Sequence, residues 1–533
     1  MISGAAALPR WAWIACVVVS AAACDSLDSD TRTDGDEVAP QALPPPSAGA
    51  PARADATTVA GSKADGARSP AEAGKPASAA GSGGVAGAAE ANGGRNAAAA
   101  AAGANAAAAG GGGDDDEPDA GTGSAGASSE SCTDIRQLDL LFVVDNSNSM
   151  AGEQAALKRQ FPAIIQALSS GQRPGPDGKS FPAVQDMHVG VVSTDMGIPG
   201  VEFPSGNCRA DGGDDGRLRS GPAGQPGCDA SYPSFLSYQG PKSGAPVTDP
   251  AKFSNDVSCL ASLGTGGCGF EQQLEAPFKA LWPKVQMDAA GNVITPTQYR
   301  FLSTTEQGTW GRGDLPLEQG GNLGFLRNGR DGSGPSLIAV VLLTDEEDCS
   351  VRSTDHLKPN NQLPEDSPYR MQDINLRCYY NKQSLFDVKS RYYDGLRKLR
   401  PGREELVLFA AITGVPVDLV GPDALAKVDF ESDDPSSRDK FFDAVLNDAR
   451  MQETLDPLTN PGSGQGNLKP SCSRMAPGEA QPSTAYPPRR IVELAKHFGK
   501  NGMVQSICQD DFTVASSAVI DSIARRLERP CPR

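Results

Sequence analysis

The residues best suited to chemistry are Asp145, Ser147 and Ser149, set two apart in the stretch LDLLFVVDNSNSM that runs from Leu138 to Met150. One carboxylate and two hydroxyls on five consecutive residues are hard oxygen donors, the kind that Mg²⁺, Mn²⁺ or Ca²⁺ takes. Mg²⁺ keeps part of its water, so so small a donor set leaves room for an oxygen brought by a partner. The plainer alternative is that Asp145 and the serines cap the helix that follows them.

The elements that must position this turn are legible on both sides of it. Leu138, Leu140, Leu141, Phe142, Val143 and Val144 make a nearly unbroken apolar run, which suits a strand buried on both faces. Leu157, Phe161, Ile164, Ile165 and Leu168 then fall on one helical face. In open α/β sheets, ligands bind beyond the carboxyl ends of the strands, and the turn stands at such an end. Further strands are predicted at 188–195, 337–343 and 405–412. The third of these four runs, LIAVVLL, ends in Thr344 and Asp345. Helices are predicted around Leu274–Trp282, Val388–Leu399, Phe441–Leu446 and Ile491–Phe498. A last one carries Phe512, Ala515, Val519, Ile520, Ile523 and Leu527 behind Asp510 and Asp511 as caps. Alternation of strand and helix implies an α/β fold: a doubly wound, mostly parallel central sheet covered on both faces.

Asp-x-Ser-x-Ser at the end of a first buried strand resembles the metal-ion-dependent adhesion site (MIDAS) of von Willebrand factor type A domains. The resemblance covers about 132–533, with insertions near 200–255, 287–335 and 415–500. It implies that Asp145, Ser147 and Ser149 ligate a divalent cation, and that Asp345 closes the site from the end of a second strand. It also implies a threonine from the loop L-G-T-G-G-C-G-F, where Thr265 is the candidate; aligning on Leu274 instead puts Cys268 in that place. The function it implies is binding of a protein partner whose Asp or Glu carboxylate completes the cation's shell. The segments GFLR (324–327), TDEEDCS (344–350) and SICQDDF (506–512) look like those of tethered lipoproteins from Gram-negative, myxobacterium-like bacteria.

The chain as a whole bounds these readings. It has 533 residues and a net charge of −18, which argues against nucleic acid as a partner because its binders need a basic face. Arg10 and the apolar stretch 11–23 read as a signal-peptide core, too short to span a bilayer comfortably. Ala21-Ala22-Ala23-Cys24 resembles a lipobox, which would lipidate Cys24 and tether the chain to the cell envelope; cleavage at an A-x-A site would secrete it instead. Residues 25–131 are Ala-, Gly-, Ser-, Pro- and Asp-rich, unable to bury enough apolar surface to fold. They read as a flexible tether of roughly 60 Å root-mean-square span.

Ten cysteines follow Cys16 and Cys24: Cys132, Cys208, Cys228, Cys259, Cys268, Cys349, Cys378, Cys472, Cys508 and Cys531. An even number suits an exported disulfide framework. Local pairing would give 208–228, 259–268, 349–378, 472–508 and 132–531.

Other chemistries have less behind them. Gly264, Gly266 and Gly269 match G-x-G-x-x-G, but a dinucleotide loop needs a strand immediately before it, and 253–260 is a poor one. The three histidines, His188, His356 and His497, lie far apart and show no H-E-x-x-H spacing. The acids Asp345 to Asp348 could serve metal-assisted hydrolysis, yet no base or G-x-S-x-G elbow accompanies them. The sequence therefore predicts a binding module and not an enzyme, with a structural lipoprotein carrying a degenerate cation site as the alternative.

Overall fold

The computed structural model describes residues 137–528, except 174–178, 205–206, 222–225, 288–292, 295–298, 330–333, 458–465 and 476–481. The expected signal segment, Cys24, the expected tether, Cys132 and Cys531 lie outside the described residues.

Six strands form the main sheet: β1 (Gln137–Val144), β2 (Asp186–Ser193), β3 (Phe235–Gln239), β4 (Leu337–Leu343), β5 (Val407–Thr413) and β6 (Gly502–Ser506). Their order is β6-β5-β4-β1-β2-β3. Every neighbouring pair is parallel except β2–β3. The apolar runs at 138–144 and 337–343 therefore lie side by side in the middle of the sheet, where both faces are covered. That is why they carry no alternation.

Within β1 the side chains still divide by the period of two. Leu138, Leu140, Phe142 and Val144 enter one core with α2 (Phe161–Ser170), α3 (Pro250–Leu260) and the last helix, α7 (Thr513–Leu527). Phe142 meets Phe161 edge-on at 4.9 Å. Leu141 and Val143 enter the other core with α4 (Glu275–Leu281), α5 (Ser436–Asn447) and α6 (Arg489–Phe498). Helices thus cover both faces of the sheet. Asp139, the one acid inside β1, is fully buried. Its carboxylate accepts from the Arg327 backbone N–H (3.0 Å) and Nε (2.8 Å), and from Arg400 Nη2 (3.3 Å). A buried charge demands such partners, which gives the arginine of GFLR a structural role.

Several expectations are corrected. The helical pattern after the turn is two helices, α1 (Ala151–Lys158) and α2. Pro162 lies in the first turn of α2, where proline is tolerated; in one continuous helix its ring would strike the carbonyl of Lys158, where α1 stops. Residues 200–255, expected only as an insertion, contain β3 and the start of α3. Strand β6 was not expected. The pattern from Val388 begins as a π-helical turn, Val388–Tyr393, and continues as Asp394–Arg397.

The disulfides differ from local pairing at two of four places. Cys349–Cys378 and Cys472–Cys508 are bridged as expected, but Cys208 pairs with Cys268 and Cys228 with Cys259. The reason is α3. It carries Cys259 on its last turn back beside Cys228, while the glycine-rich loop after it swings to Cys208. Cys208, Cys268, Cys349 and Cys378 join Ile198, Val201 and Leu357 in a small third core, so these bridges take the place of apolar bulk under the loops.

Candidate metal centre

The register of the central strands builds the site. Val144 pairs with Leu343, so β1 and β4 end level and their next residues emerge side by side. The Asp145 backbone N–H donates to the Leu343 carbonyl at 3.0 Å, and Thr344 donates its hydroxyl to Asp145 Oδ2 at 2.6 Å. Asp145 Oδ1 accepts the Ser147 backbone N–H at 2.8 Å, and the Ser147 and Ser149 hydroxyls lie 3.2 Å apart. The Ser149 side chain stands near enough to Asp345 to offset part of the upward push on its carboxyl. The structure therefore brings together Asp145, Ser147, Ser149 and Asp345. None of them caps α1, whose N-cap residue is Met150 with no side-chain capping bond. Capping of α1 is therefore not what these side chains do.

The loop carrying Thr265 also reaches the turn. Gln154 on α1 donates to the Asp145 carbonyl (2.7 Å) and to the Gly264 carbonyl (2.9 Å), and Gly267 N–H donates to the Asn146 carbonyl at 2.9 Å. Gly267 packs so closely that a Cβ there would stand 2.3 Å from Asn146 Oδ1. Thr265 is half-buried, and among the described residues no hydrogen bond joins it to Asp145, Ser147, Ser149 or Asp345. Cys268, the alternative in alignment, is tied to Cys208 and offers no thiolate. Helix α3 precedes this loop, so its glycines follow no strand, as a dinucleotide loop would require.

Sequence reasoning missed three contributors. Thr344 holds Asp145 directly; its place one residue before Asp345 was the available signal. Gln273 steadies Thr344 by donating to its hydroxyl at 3.2 Å. Glu271, three residues past Cys268, is buried close enough that the charges of Asp145, Glu346 and Asp345 all raise its pKa.

The electrostatics are those of acids lacking a countercharge. Burial pushes Asp345 up to about 8, and the facing Asp145 carboxylate adds to the shift. Burial also raises Asp145, against the pull of its bonds from Thr344 and Ser147. Glu271 and Glu346 are held well above the usual carboxylate range, first by burial and then by their acidic neighbours. Among the described residues, no Lys, Arg or His forms an ion pair with Asp145, Asp345, Glu271 or Glu346. The nearby arginines are committed elsewhere: Arg474 to Glu153 at 3.0 Å and Arg490 to Asp348 at 2.9 Å.

The donors present suit a hard divalent cation. Asp345 Oδ1 and Asn146 Oδ1 are buried without a hydrogen-bond partner, a costly state for oxygen. Among the described residues, no three His, Cys, Asp or Glu side chains converge as a metal-binding group. A cation here would rest on two carboxylates together with the serine hydroxyls. Ser149 and Asn148 are exposed while Asp145 and Asp345 are buried, so the turn opens to solvent on its serine side. The three histidines stand on separate elements: β2, the 3₁₀ turn Asp355–Leu357, and α6.

No protein-family profile and no curated protein matches this chain.

Proposed function

We propose that this chain is a binding module of the von Willebrand factor A type, with a doubly wound sheet, that engages a protein partner through a divalent cation. The observation that carries the reading is the Asp145–Asp345 pair. Two buried carboxylates stand at the level ends of adjacent parallel strands, one with an unpartnered oxygen and neither with a cationic neighbour in ion-pair contact among the described residues. Mg²⁺, Mn²⁺ or Ca²⁺ would be held by Ser147 and Ser149, with Asp145 and Asp345 ligating directly or through water. When bound, the ion would supply a Lewis-acidic point for an Asp or Glu of the partner. The chain's own residues do the rest. Thr344 and Gln273 hold the Asp145 carboxylate in place, Gln154 locks the turn to the Gly264 loop, and the buried walls keep the acids from spreading their charge into solvent. The disulfides support an extracytoplasmic setting, with Cys24 as the proposed lipid anchor.

A second reading is a structural surface lipoprotein whose cation site has decayed. It is favoured by Thr265 making no hydrogen bond, among the described residues, to the other donors, and by the serine hydroxyls already bonding each other. Thermal melts in Mg²⁺, Mn²⁺ and EDTA separate the two. A ligand of the folded state at a hundredfold excess over its Kd adds about 2.7 kcal/mol of stability. The binding reading expects wild type to melt higher with cation than with EDTA, and Asp145→Ala to melt alike in both. Identical wild-type melts in cation and EDTA favour the structural reading.

A further inference from the structure

Asp145 has a threonine on each side of it at the same level of the sheet. Val144 pairs with Ser193 of β2 as well as with Leu343 of β4, so Thr194 and Thr344 follow those strands and flank the acid. Both threonines are fully buried, but their hydroxyls differ. That of Thr344 donates to Asp145 and accepts from Gln273 Nε2 and from the Glu346 backbone N–H, each at 3.2 Å. That of Thr194 is shut off from solvent and has no hydrogen-bond partner. The Thr194 side chain nevertheless faces Asp145, near enough to offset part of the upward push of burial on its carboxyl. The backbone fixes it there: the Thr194 carbonyl accepts the Gln272 N–H at 3.2 Å, while the next residue, Gln273, bonds Thr344 on the far side of Asp145.

A hydroxyl at that depth with nothing to bond is costly, and a hard cation held by Asp145 would take such a neutral oxygen. The two other candidates for a third side chain do not meet the need. Among the described residues Thr265 makes no hydrogen bond to the other donors, and Cys268 is bridged to Cys208. We infer that Thr194 supplies the third hydroxyl of the proposed cation site, in place of a threonine from the glycine-rich loop. The inference rests on the proposed function for the cation itself. It adds that the ion would join three neighbouring strand ends, β2 through Thr194, β1 through Asp145 and β4 through Asp345.

The test uses the full chain and the loss of the free Mn²⁺ signal in electron paramagnetic resonance titrations. Thr194→Val keeps the shape and removes the oxygen; it should weaken Mn²⁺ binding about tenfold or more, and Thr194→Ser should restore most of it. Thr194→Val binding as tightly as wild type overturns the inference, and so does a larger loss in Thr265→Val than in Thr194→Val. A residue that only positions Asp145 would also weaken binding, so Thr194→Cys is titrated with Cd²⁺, which favours thiolate. A thiolate-to-cadmium absorption band supports direct ligation, and its absence in a variant that keeps its disulfides overturns it. If that variant does not keep them, the wild-type crystal grown with Mn²⁺ decides: Thr194 Oγ1 within about 2.6 Å of the ion supports the inference, and a longer separation overturns it. The two proposals fail in different ways. Wild type taking up no Mn²⁺ overturns the cation site and Thr194 with it. Uptake abolished by Asp145→Ala but unaltered by Thr194→Val overturns Thr194 alone.

Discussion

Thr344 and Asp145 are 199 residues apart, yet the hydroxyl of one donates to the carboxylate of the other at 2.6 Å, with both side chains buried. This bond ties the turn after β1 to the end of β4 and orients the carboxylate on which the proposed site depends. A hydrogen bond to a charged group contributes roughly 1.5–3 kcal/mol. Thr344→Val keeps the shape and removes the donor. It should lower unfolding stability by that order in urea titrations. It should also weaken Mn²⁺ binding relative to wild type, which calorimetry would register; unchanged stability would show that the bond contributes nothing.

Acid and base should act on the cation-free protein in a definite direction. Asp345 titrates near its ordinary 3.8 when unfolded and at about 8 when folded, so the folded state binds the extra proton between those values. Stability from this group is fully present below about pH 4 and is lost as pH rises through 8. Glu271 and Glu346 shift the same way. In EDTA, the urea midpoint of wild type should therefore fall between pH 5 and 8 more steeply than that of Asp345→Asn. Saturating Mg²⁺ should flatten the wild-type slope, because the ion replaces the proton. Parallel slopes for the two proteins would contradict the assignment.

The close approach of Gly267 to Asn146 gives a third test. A methyl at 267 would stand 2.3 Å from Asn146 Oδ1, and overpacking a filled site costs about 1–3 kcal/mol. Gly267→Ala should destabilise by that amount alone, and by much less when Asn146 is already Ala. A double-mutant cycle with no coupling would place the strain elsewhere.

The paired strands Cys472–Arg474 and Ser483–Ala485 bring a buried ion pair beside the acids, Arg474 with Glu153, at 3.0 Å. Removing one partner of a buried pair costs about 3–5 kcal/mol, because the other charge is left uncompensated. Arg474→Met should lose stability of this order at pH 7, and adding Glu153→Gln should restore a large part of it. Failure of the second change to rescue the first would mean that packing, and not charge, explains the loss.

How far these features could be read in advance depended on how much apolar surface each element carried. Strands β1, β4 and β5 are central, buried on both faces, and announce themselves as LDLLFVV, LIAVVLL and VLFAAI. The two strands that escaped notice, β3 and β6, are the sheet edges. FLSYQ and GMVQS are short and part-polar, as edge strands commonly are. Asp145, Ser147, Ser149 and Asp345 were legible because each follows a strong strand signal. Glu271 and Gln273 were not, since their place is set by a loop whose path depends on the Cys208–Cys268 bridge. That pairing in turn hinges on α3, which the composition of 200–255 hid.

The bridges themselves can be checked by mass spectrometry of a non-reduced digest. Linked peptides joining Cys208 to Cys268 and Cys228 to Cys259 are expected. Peptides joining Cys208 to Cys228 would contradict the fold around α3.

The most direct measurement is an anomalous difference map from crystals of the full chain grown with MnCl₂ at neutral pH. The account predicts a manganese peak bounded by the carboxylates of Asp145 and Asp345 and the hydroxyls of Ser147 and Ser149, and its loss in Asp145→Ala. A map with no peak at that turn, or with manganese bound only elsewhere, would contradict it.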